Sequence, residues 1–383
     1  MNDRSRRRKK TTQSSESLTT RAVPADPKPV DNNLSLLSQG SKTRRYIKRG
    51  LLLLLAALVI SAGLFVWEVY SAAANLTGIH SPVNLIDTLL PQKLAETNGR
   101  VNILLAGYSA GIPSHPGPLL TDSIMIISLN PKNKLASLIS VPRDLWVKIP
   151  ATGYSKINAA YEDGLRENFH QKGYFPGGMG LLQKVVSQVF AIKFNYYALI
   201  NYAALKDAVN AVGGITVDIQ SPDPRGIYDA YTNLKLPNGL DALNGQQALD
   251  LARARGDTVA GDVSYGLPDS DFTRTQHQQQ MLVALKDKAA KLTSLINPIT
   301  VLKLVKAVGG NVKTNFNIGQ METLYQDAKV INNKNINQVT LNDYNGKNLI
   351  ANYYTDNQAT IIPAAGPFDY SQLQQAVKAL LNQ

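Results

Sequence analysis

Hydrophobic and polar positions divide the chain into three unequal parts. Residues 1–41 are polar, contain Ser, Thr and Pro, and are poor in aromatics. Residues 51–67, LLLLLAALVISAGLFVW, form an uncharged apolar run that Glu68 ends. Beyond residue 98, short apolar segments alternate between strand length and helix length. Residues 101–107 read as a buried strand ending at a glycine. Residues 123–129 and 135–141 read as two more, rich in Ile, Leu and Val and apolar on both faces, the pattern of a buried sheet. Between them lies Asn130-Pro131-Lys132-Asn133, where Pro131 pre-sets φ for a β-turn, so the two strands form a hairpin.

Downstream, Gly177 and Gly178 precede a helix over residues 179–190, and residues 195–201 form a strand. A helix over 202–212 is stopped by Gly213-Gly214. Residues 215–219 are a strand again, and Asn244 caps a helix that starts there. A longer helix begins near Asp271. Ser155 is placed to cap a short helix after it. Residues 297–383 alternate helix-like and strand-like segments, end in an amphipathic helix over 370–381, and complete the sheet and its helical cover. This alternation predicts an α/β layered domain.

The first two parts set the location. Residues 1–49 hold 13 Lys or Arg against 4 Asp or Glu, so most of the chain's net charge of +12 belongs to this tail. The folded part is close to neutral, which argues against nucleic acid as a partner. The tail cannot bury enough apolar surface to order itself. Residues 50–70 read as one transmembrane helix, near the lower limit of the roughly 20 residues a span requires. Lys42, Arg44, Arg45, Lys48 and Arg49 put its N-terminal side in the cytoplasm. Residues 71–97 are a juxtamembrane linker, and residues 98–383 are an extracytoplasmic domain. A cleaved leader is the competing reading, with small residues at 71–74 in its favour. Its apolar run would exceed the roughly 7–15 residues typical of such segments. The chain has no cysteine, which excludes disulfides and thiolate chemistry. The four histidines show no zinc-ligand spacing.

Chemistry gathers at one end of the hairpin. Asp122 sits just before its first strand and Arg143-Asp144 just after its second, so an antiparallel pair brings all three to one rim. The plainer alternative is a surface ion pair, which contributes little. Arg253 and Arg255 share a face only if the chain is already extended there. Asp271, Arg274 and Gln278 fall at i, i+3 and i+7 on one polar helix face, at a helix start that favours an anion.

These stretches resemble the LytR-CpsA-Psr family of cell-envelope proteins: NILLAG (102–107), TDSIMIISLNPKNKLASLISVPRDLWVKIP (121–150), YSKINAAY (154–161), DAVNAVGGITVDI (207–219), LNGQQALDLARAR (243–255) and DFTRTQHQQQ (271–280). The resemblance covers roughly residues 98–295, with a weaker continuation. It implies a three-layer α/β/α sandwich with a central mixed β-sheet, a lipid tunnel, an arginine-rich pyrophosphate site and Mg²⁺. It implies transfer of a glycan phosphate, as in teichoic acid, capsule or arabinogalactan, from a polyprenyl-pyrophosphate carrier to a peptidoglycan hydroxyl. Motif by motif, it carries over Asp122, Arg143, Asp144, Arg253, Arg255, Asp271, Arg274 and Gln278. Three positions depart from the usual family pattern: Ser109 where an Asp is common, and Leu120 and His277 where Arg is common.

On this resemblance, Arg143, Arg253, Arg255 and Arg274 supply bidentate phosphate contacts, with Gln278 beside them. Mg²⁺ takes one or two carboxylates plus substrate phosphates, with Asp122 the first candidate ligand and Asp271 the second. Asp144 has two roles open to it: base for the attacking hydroxyl, or partner holding Arg143. The apolar hairpin is either plain core or the tunnel wall. Two other functions compete with the transferase: a non-catalytic binder of polyprenyl phosphate or wall polymer, and a membrane-tethered regulator.

Overall fold

Three consecutive strands form the middle of the sheet: β1 (Val101–Tyr108), β2 (Thr121–Asn130) and β3 (Leu135–Val141). Each pairs antiparallel with the next, from Val101↔Leu129 in the first pair and from Asn130↔Leu135 in the second. The expected hairpin is there, apolar on both faces. Its first strand starts earlier than the apolar pattern indicates. A register shift after Gly107 lets Tyr108 pair with Thr121, so Asp122 lies inside β2 rather than ahead of it.

The computed structural model describes residues 91–109, 119–150, 152–292 and 310–382. All belong to the second of the chain's two units, residues 63–383. The expected tail, the expected span over 50–70 and most of the linker lie outside the described residues. Among the described residues no helix is long and apolar enough to cross a membrane.

After β3 a small hairpin leaves the rim, β4 (Trp146–Ile149) against β5 (Gly153–Lys156). Ser155 caps nothing, contrary to expectation. It pairs with Val147 inside this hairpin, and ladder pairing takes the residue that would otherwise open a helix. Next come α1 (Ala160–Arg166) and α2 (Gly177–Phe190). They touch at glycines: a Cβ on Gly178 would stand 2.4 Å from the Tyr161 carbonyl oxygen. β6 (Tyr196–Asn201) runs parallel to β1, and α3 (Tyr202–Ala211) follows at once. The Asn201 side chain caps α3 by accepting from the Ala204 N–H.

Four short strands come next: β7 (Ile215–Ile219), β8 (Ile227–Asp229), β9 (Leu234–Leu236) and β10 (Gly239–Leu243). They pair as β7 with β10 and β8 with β9. With α4 (Gly245–Arg253) and α5 (Asp271–Leu292) they enclose a second apolar cluster that includes Val217, Leu251 and Met281. The chain ends with β11 (Val312–Thr314), α6 (Ile318–Lys329), β12 (Ile336–Val339), the hairpin β13 (Ile350–Thr355) and β14 (Gln358–Pro363), and α7 (Ser371–Leu381).

The main sheet has the order β11-β6-β1-β2-β3-β12. Two of its pairs, β1 with β6 and β3 with β12, are parallel, so the fold is mixed α/β around a central mixed sheet. Alternating side chains divide its faces. Leu104, Ala106, Ile124, Ile126, Ile139 and Val141 pack under α2 and α7. Val101, Ile103 and Leu129 face the other way, toward Met321 and Leu324 of α6. As expected, the C-terminal region supplies both sheet edges and a covering helix for each face. Leu94 is already buried on the second face, so packing of the domain begins ahead of residue 98.

One buried amide fixes the long helix to the sheet. Gln279 of α5 donates from Nε2 to the carbonyl of Leu138 at 3.2 Å, to Ser140 Oγ at 2.8 Å and to the carbonyl of Val339 at 2.9 Å. The helix carries Asp271, Arg274 and Gln278, so this contact places them. Gln279→Ala is expected to lower stability by about 1–3 kcal/mol, the cost of leaving buried groups unpaired, measured by urea unfolding.

Candidate active site

The rim predicted from the hairpin forms as an ion-pair cluster. Arg143 Nη1 lies 2.6 Å from Asp122 Oδ1. Its Nε lies 3.3 Å from Asp271 Oδ1 and 3.6 Å from Asp144 Oδ2. Asp271 Oδ1 is shared: Arg274 Nη2 stands 2.9 Å away and Arg255 Nε 3.6 Å. One carboxylate oxygen therefore faces three guanidinium groups. Yet Asp271 Oδ1 and the Nε atoms of Arg143, Arg255 and Arg274 are all buried without a well-aligned hydrogen bond. Such a cluster has charge-assisted donors to spare.

Burial acts on both inner arginines. At Arg143 it pulls the pKa down, but Asp271, Asp122 and Asp144 together more than offset it and the net shift is upward. At Arg274 burial wins, with Arg143 and Arg255 adding to it and Asp271 opposing, so the pKa is lowered. Both side chains stay cationic, because a guanidinium does not deprotonate in a protein. A crowded, desolvated cation cluster of this kind is stabilised by an arriving anion.

Arg253 and Arg255 satisfy the condition set by their spacing. α4 ends at Arg253, and Ala254 is extended (φ −60°, ψ 121°). Both arginines then line the same cavity as Arg143 and Arg274. The Arg253 guanidinium lies between two rings, 5.3 Å from the Tyr202 centroid and 5.4 Å from that of Tyr231. Gln278 Nε2 donates to the carbonyl of Ala252 at 2.9 Å, and its Oε1 accepts from Ser123 Oγ at 2.8 Å.

The cavity is about 490 Å³. Its polar lining is Asp122, Gln278 and the four arginines, with Arg143, Arg255 and Arg274 gathered around Asp271. The rest of its lining is mainly apolar, including Leu105, Met125, Ile200, Leu205, Met281 and Leu285. Part of the second face of the sheet thus serves as cavity wall rather than packed core. Asp144 and Asp271 do not line it. Asp144 is held outside, with Lys156 Nζ 2.7 Å from its Oδ1 and its carbonyl accepting from Ile361 N–H at 3.0 Å. Asn158 N–H donates to the Arg143 carbonyl at 3.2 Å, so the Lys-Ile-Asn segment braces both rim residues.

Among the described residues no group of three or more His, Asp or Glu side chains gathers as a metal cage. A magnesium ion does not require one, since one or two carboxylates with substrate phosphates suffice. Asp122, at the cavity wall, fits that chemistry. Like Asp271, it is engaged by arginine at Oδ1.

The LytR_cpsA_psr family model matches residues 65–363. The chain belongs to the LytR-CpsA-Psr family. Among relatives similar to it is the polyisoprenyl-teichoic acid–peptidoglycan teichoic acid transferase TagU of Oceanobacillus iheyensis. That protein is 29% identical over 72% of this chain and 78% of its own length. The TagU of Bacillus anthracis is 31% identical over 72% and 81%. Solved LytR-CpsA-Psr structures share the fold. TagT bound to LI-WTA superposes with a TM-score of 0.54 at 22% identity, covering 76% of this chain and 94% of that one. YwtF (TagT) with bound octaprenyl pyrophosphate lipid gives 0.51 at 20%, covering 76% and 92%.

Within this LytR-CpsA-Psr domain the three departures sit as follows. Ser109 is buried at the end of β1, Leu120 is half-buried, and His277 is only 6% exposed. His277 does not line the cavity. Its Nδ1 has no hydrogen-bond partner, and burial pushes its pKa down to about 4.

Sequence reasoning missed Asp229. It is 1% exposed. Its Oδ1 accepts from the N–H groups of Arg255 (2.9 Å) and Gly256 (2.8 Å), and its Oδ2 accepts from Thr232 N–H (2.9 Å) and Oγ1 (2.7 Å). It holds the segment that presents Arg255. Its bonds to Thr232 close a local turn, but those to Arg255 and Gly256, which matter for the site, come from tertiary structure and leave no local signal. Tyr202 and Tyr231 were missed for the same reason.

His277 gives a pH prediction. The unfolded chain takes up a proton near the ordinary histidine value of about 6.5, whereas the folded one resists until about 4. Between these values the unfolded state binds more protons, so stability falls as pH drops. His277→Gln should remove this component, about 3 kcal/mol in full, seen as the difference between wild-type and variant unfolding curves from pH 7 to 4.

Proposed function

We propose that this chain is a membrane-anchored transferase. It moves a glycan phosphate polymer from a polyprenyl-pyrophosphate carrier to peptidoglycan or a related wall acceptor. The observation that carries this reading is the cavity, whose largely apolar lining is joined by four arginines. A prenyl chain suits the apolar lining and a diphosphate suits the arginines. The names of the TagU relatives describe the same reaction class.

In this reading Arg143, Arg253, Arg255 and Arg274 hold the two phosphates, with Gln278 beside them. They stabilise charge that builds on the departing prenyl phosphate. Asp271 keeps three of these cations together. Asp122 would hold Mg²⁺, with Asp271 as the second carboxylate; the ion would supply charge neutralisation on the phosphates. Of the two roles for Asp144, its place outside the cavity and its pairing with Lys156 support positioning of Arg143 over proton abstraction. Residues 50–70 are the single membrane span, with residues 1–49 cytoplasmic and the domain outside. That topology puts the cavity where a lipid-linked donor resides.

The test uses full-length protein in detergent with a lipid-linked pyrophosphate donor and peptidoglycan acceptor. Arg143→Ala is expected to lower transfer by about 10²–10³-fold, as for loss of a group that stabilises developing charge, with unchanged thermal unfolding. Donor bound by wild type with no phosphate bond broken would instead mark a non-catalytic binder.

A second measurement concerns the metal. Asp122→Asn should raise the Mg²⁺ concentration needed for half-maximal transfer by at least about tenfold, the usual scale for a lost charged contact. An unchanged Mg²⁺ dependence would remove Asp122 from the metal site.

A further inference from the structure

A second concavity, about 300 Å³, shares no lining residue with the arginine-lined cavity. Val147, Val185 and Val189 form its floor, and Tyr154, Phe368 and Tyr370 stand around it, with Lys148 and Gln188 as polar members. Tyr154 is 54% exposed and Phe368 39%. Their ring centroids are 4.9 Å apart with planes inclined at 41°. Lys148 Nζ lies 6.0 Å from the Tyr154 centroid. Neither ring is buried enough to serve the core.

Phe368 is also strained. Its φ is 65°, a conformation in which a bulky aromatic residue is an outlier and glycine would be relaxed. Strain of this kind clusters at ligand sites. Exposed ring faces with amine, amide and hydroxyl groups around them suit a ligand with one apolar face and a polar edge. A sugar ring has that form: C–H groups on a face, hydroxyls at the rim.

The cleft connects to the transfer site through β5. Tyr154 and Lys156 are two residues apart on one strand, so they share a face about 7 Å apart. Lys156 pairs with Asp144, and Asp144 approaches Arg143. A line of neighbours therefore runs from the cleft to the cation cluster without passing through the apolar cavity.

We propose that the Tyr154–Phe368 cleft is a saccharide subsite that seats the acceptor glycan beside the transfer site. The acceptor role rests on the transferase reading; the saccharide binding does not. The cleft takes a neutral sugar ring on its aromatic faces, and Lys148 and Gln188 meet its hydroxyls.

The test titrates full-length protein in detergent with chitotetraose, an uncharged β-1,4-linked N-acetylglucosamine oligomer, by calorimetry and without lipid donor. Wild type is expected to bind it saturably at millimolar sugar. Tyr154→Ala and Phe368→Gly are expected to weaken binding at least tenfold, and Tyr154→Trp to retain it. Phe368→Gly relaxes the backbone, so its thermal midpoint should hold or rise, which separates loss of the site from loss of the fold. In the transfer assay the same two variants should raise KM for the glycan acceptor while kcat stays near wild type. No saturable binding by wild type, or equal binding by both variants, overturns the subsite. Octaprenyl pyrophosphate binding to the same preparations reports on the other cavity alone. Its absence overturns the transferase reading and the acceptor role with it, even where chitotetraose binding persists.

Discussion

Guanidinium groups repel one another, and the desolvation of a half-buried site sharpens the repulsion. Asp271 makes their gathering possible. Its carboxylate stands at the start of α5 and faces Arg143 from the hairpin, Arg255 from the segment after α4, and Arg274 from its own helix. Three separate segments meet at one oxygen. The pairing leaves three Nε–H donors without aligned acceptors. The arrangement is stable enough to exist and still unsatisfied, a combination that favours binding of a further anion.

That balance requires a rigid frame. A loop could not hold three cations around one carboxylate oxygen against their repulsion. Here the rim of a hairpin, buried on both faces, supplies Asp122 and Arg143, while a helix anchored through Gln279 supplies Asp271 and Arg274. Asp229 fixes the third element by accepting four hydrogen bonds, from the N–H groups of Arg255, Gly256 and Thr232 and from Thr232 Oγ1. The greasy volume beside the arginines follows from the same frame. Where α5 and α3 approach the second face of the sheet, they leave a gap instead of a seam.

Much of this was legible in residue order. The three central strands declare themselves because burial on both sides demands continuous apolar runs, and antiparallel pairing then obliges Asp122 and Arg143 to meet. The helix carrying Asp271, Arg274 and Gln278 announces its polar face by spacing. Other features depend on contacts that no local pattern encodes. The shift after Gly107 draws Asp122 into β2. Pairing across β4 and β5 claims Ser155. Arg253 and Arg255 had two readings until the helix was seen to stop between them. Asp229 looks like any aspartate of a local turn, and only the fold brings the N–H groups of Arg255 and Gly256 to it. Tyr202 and Tyr231 flank Arg253 for equally non-local reasons.

Ala204 and Ala208 lie four apart on α3 and both face the apolar cavity. Part of the cavity wall is thus made of side chains of minimal size, on an element separate from those that carry the arginines. Enlarging either methyl would narrow the cavity without altering the arginine-bearing segments. Width and grip can therefore drift apart over evolutionary time, letting one fold accommodate carriers of different girth while its anion-holding end stays as it is.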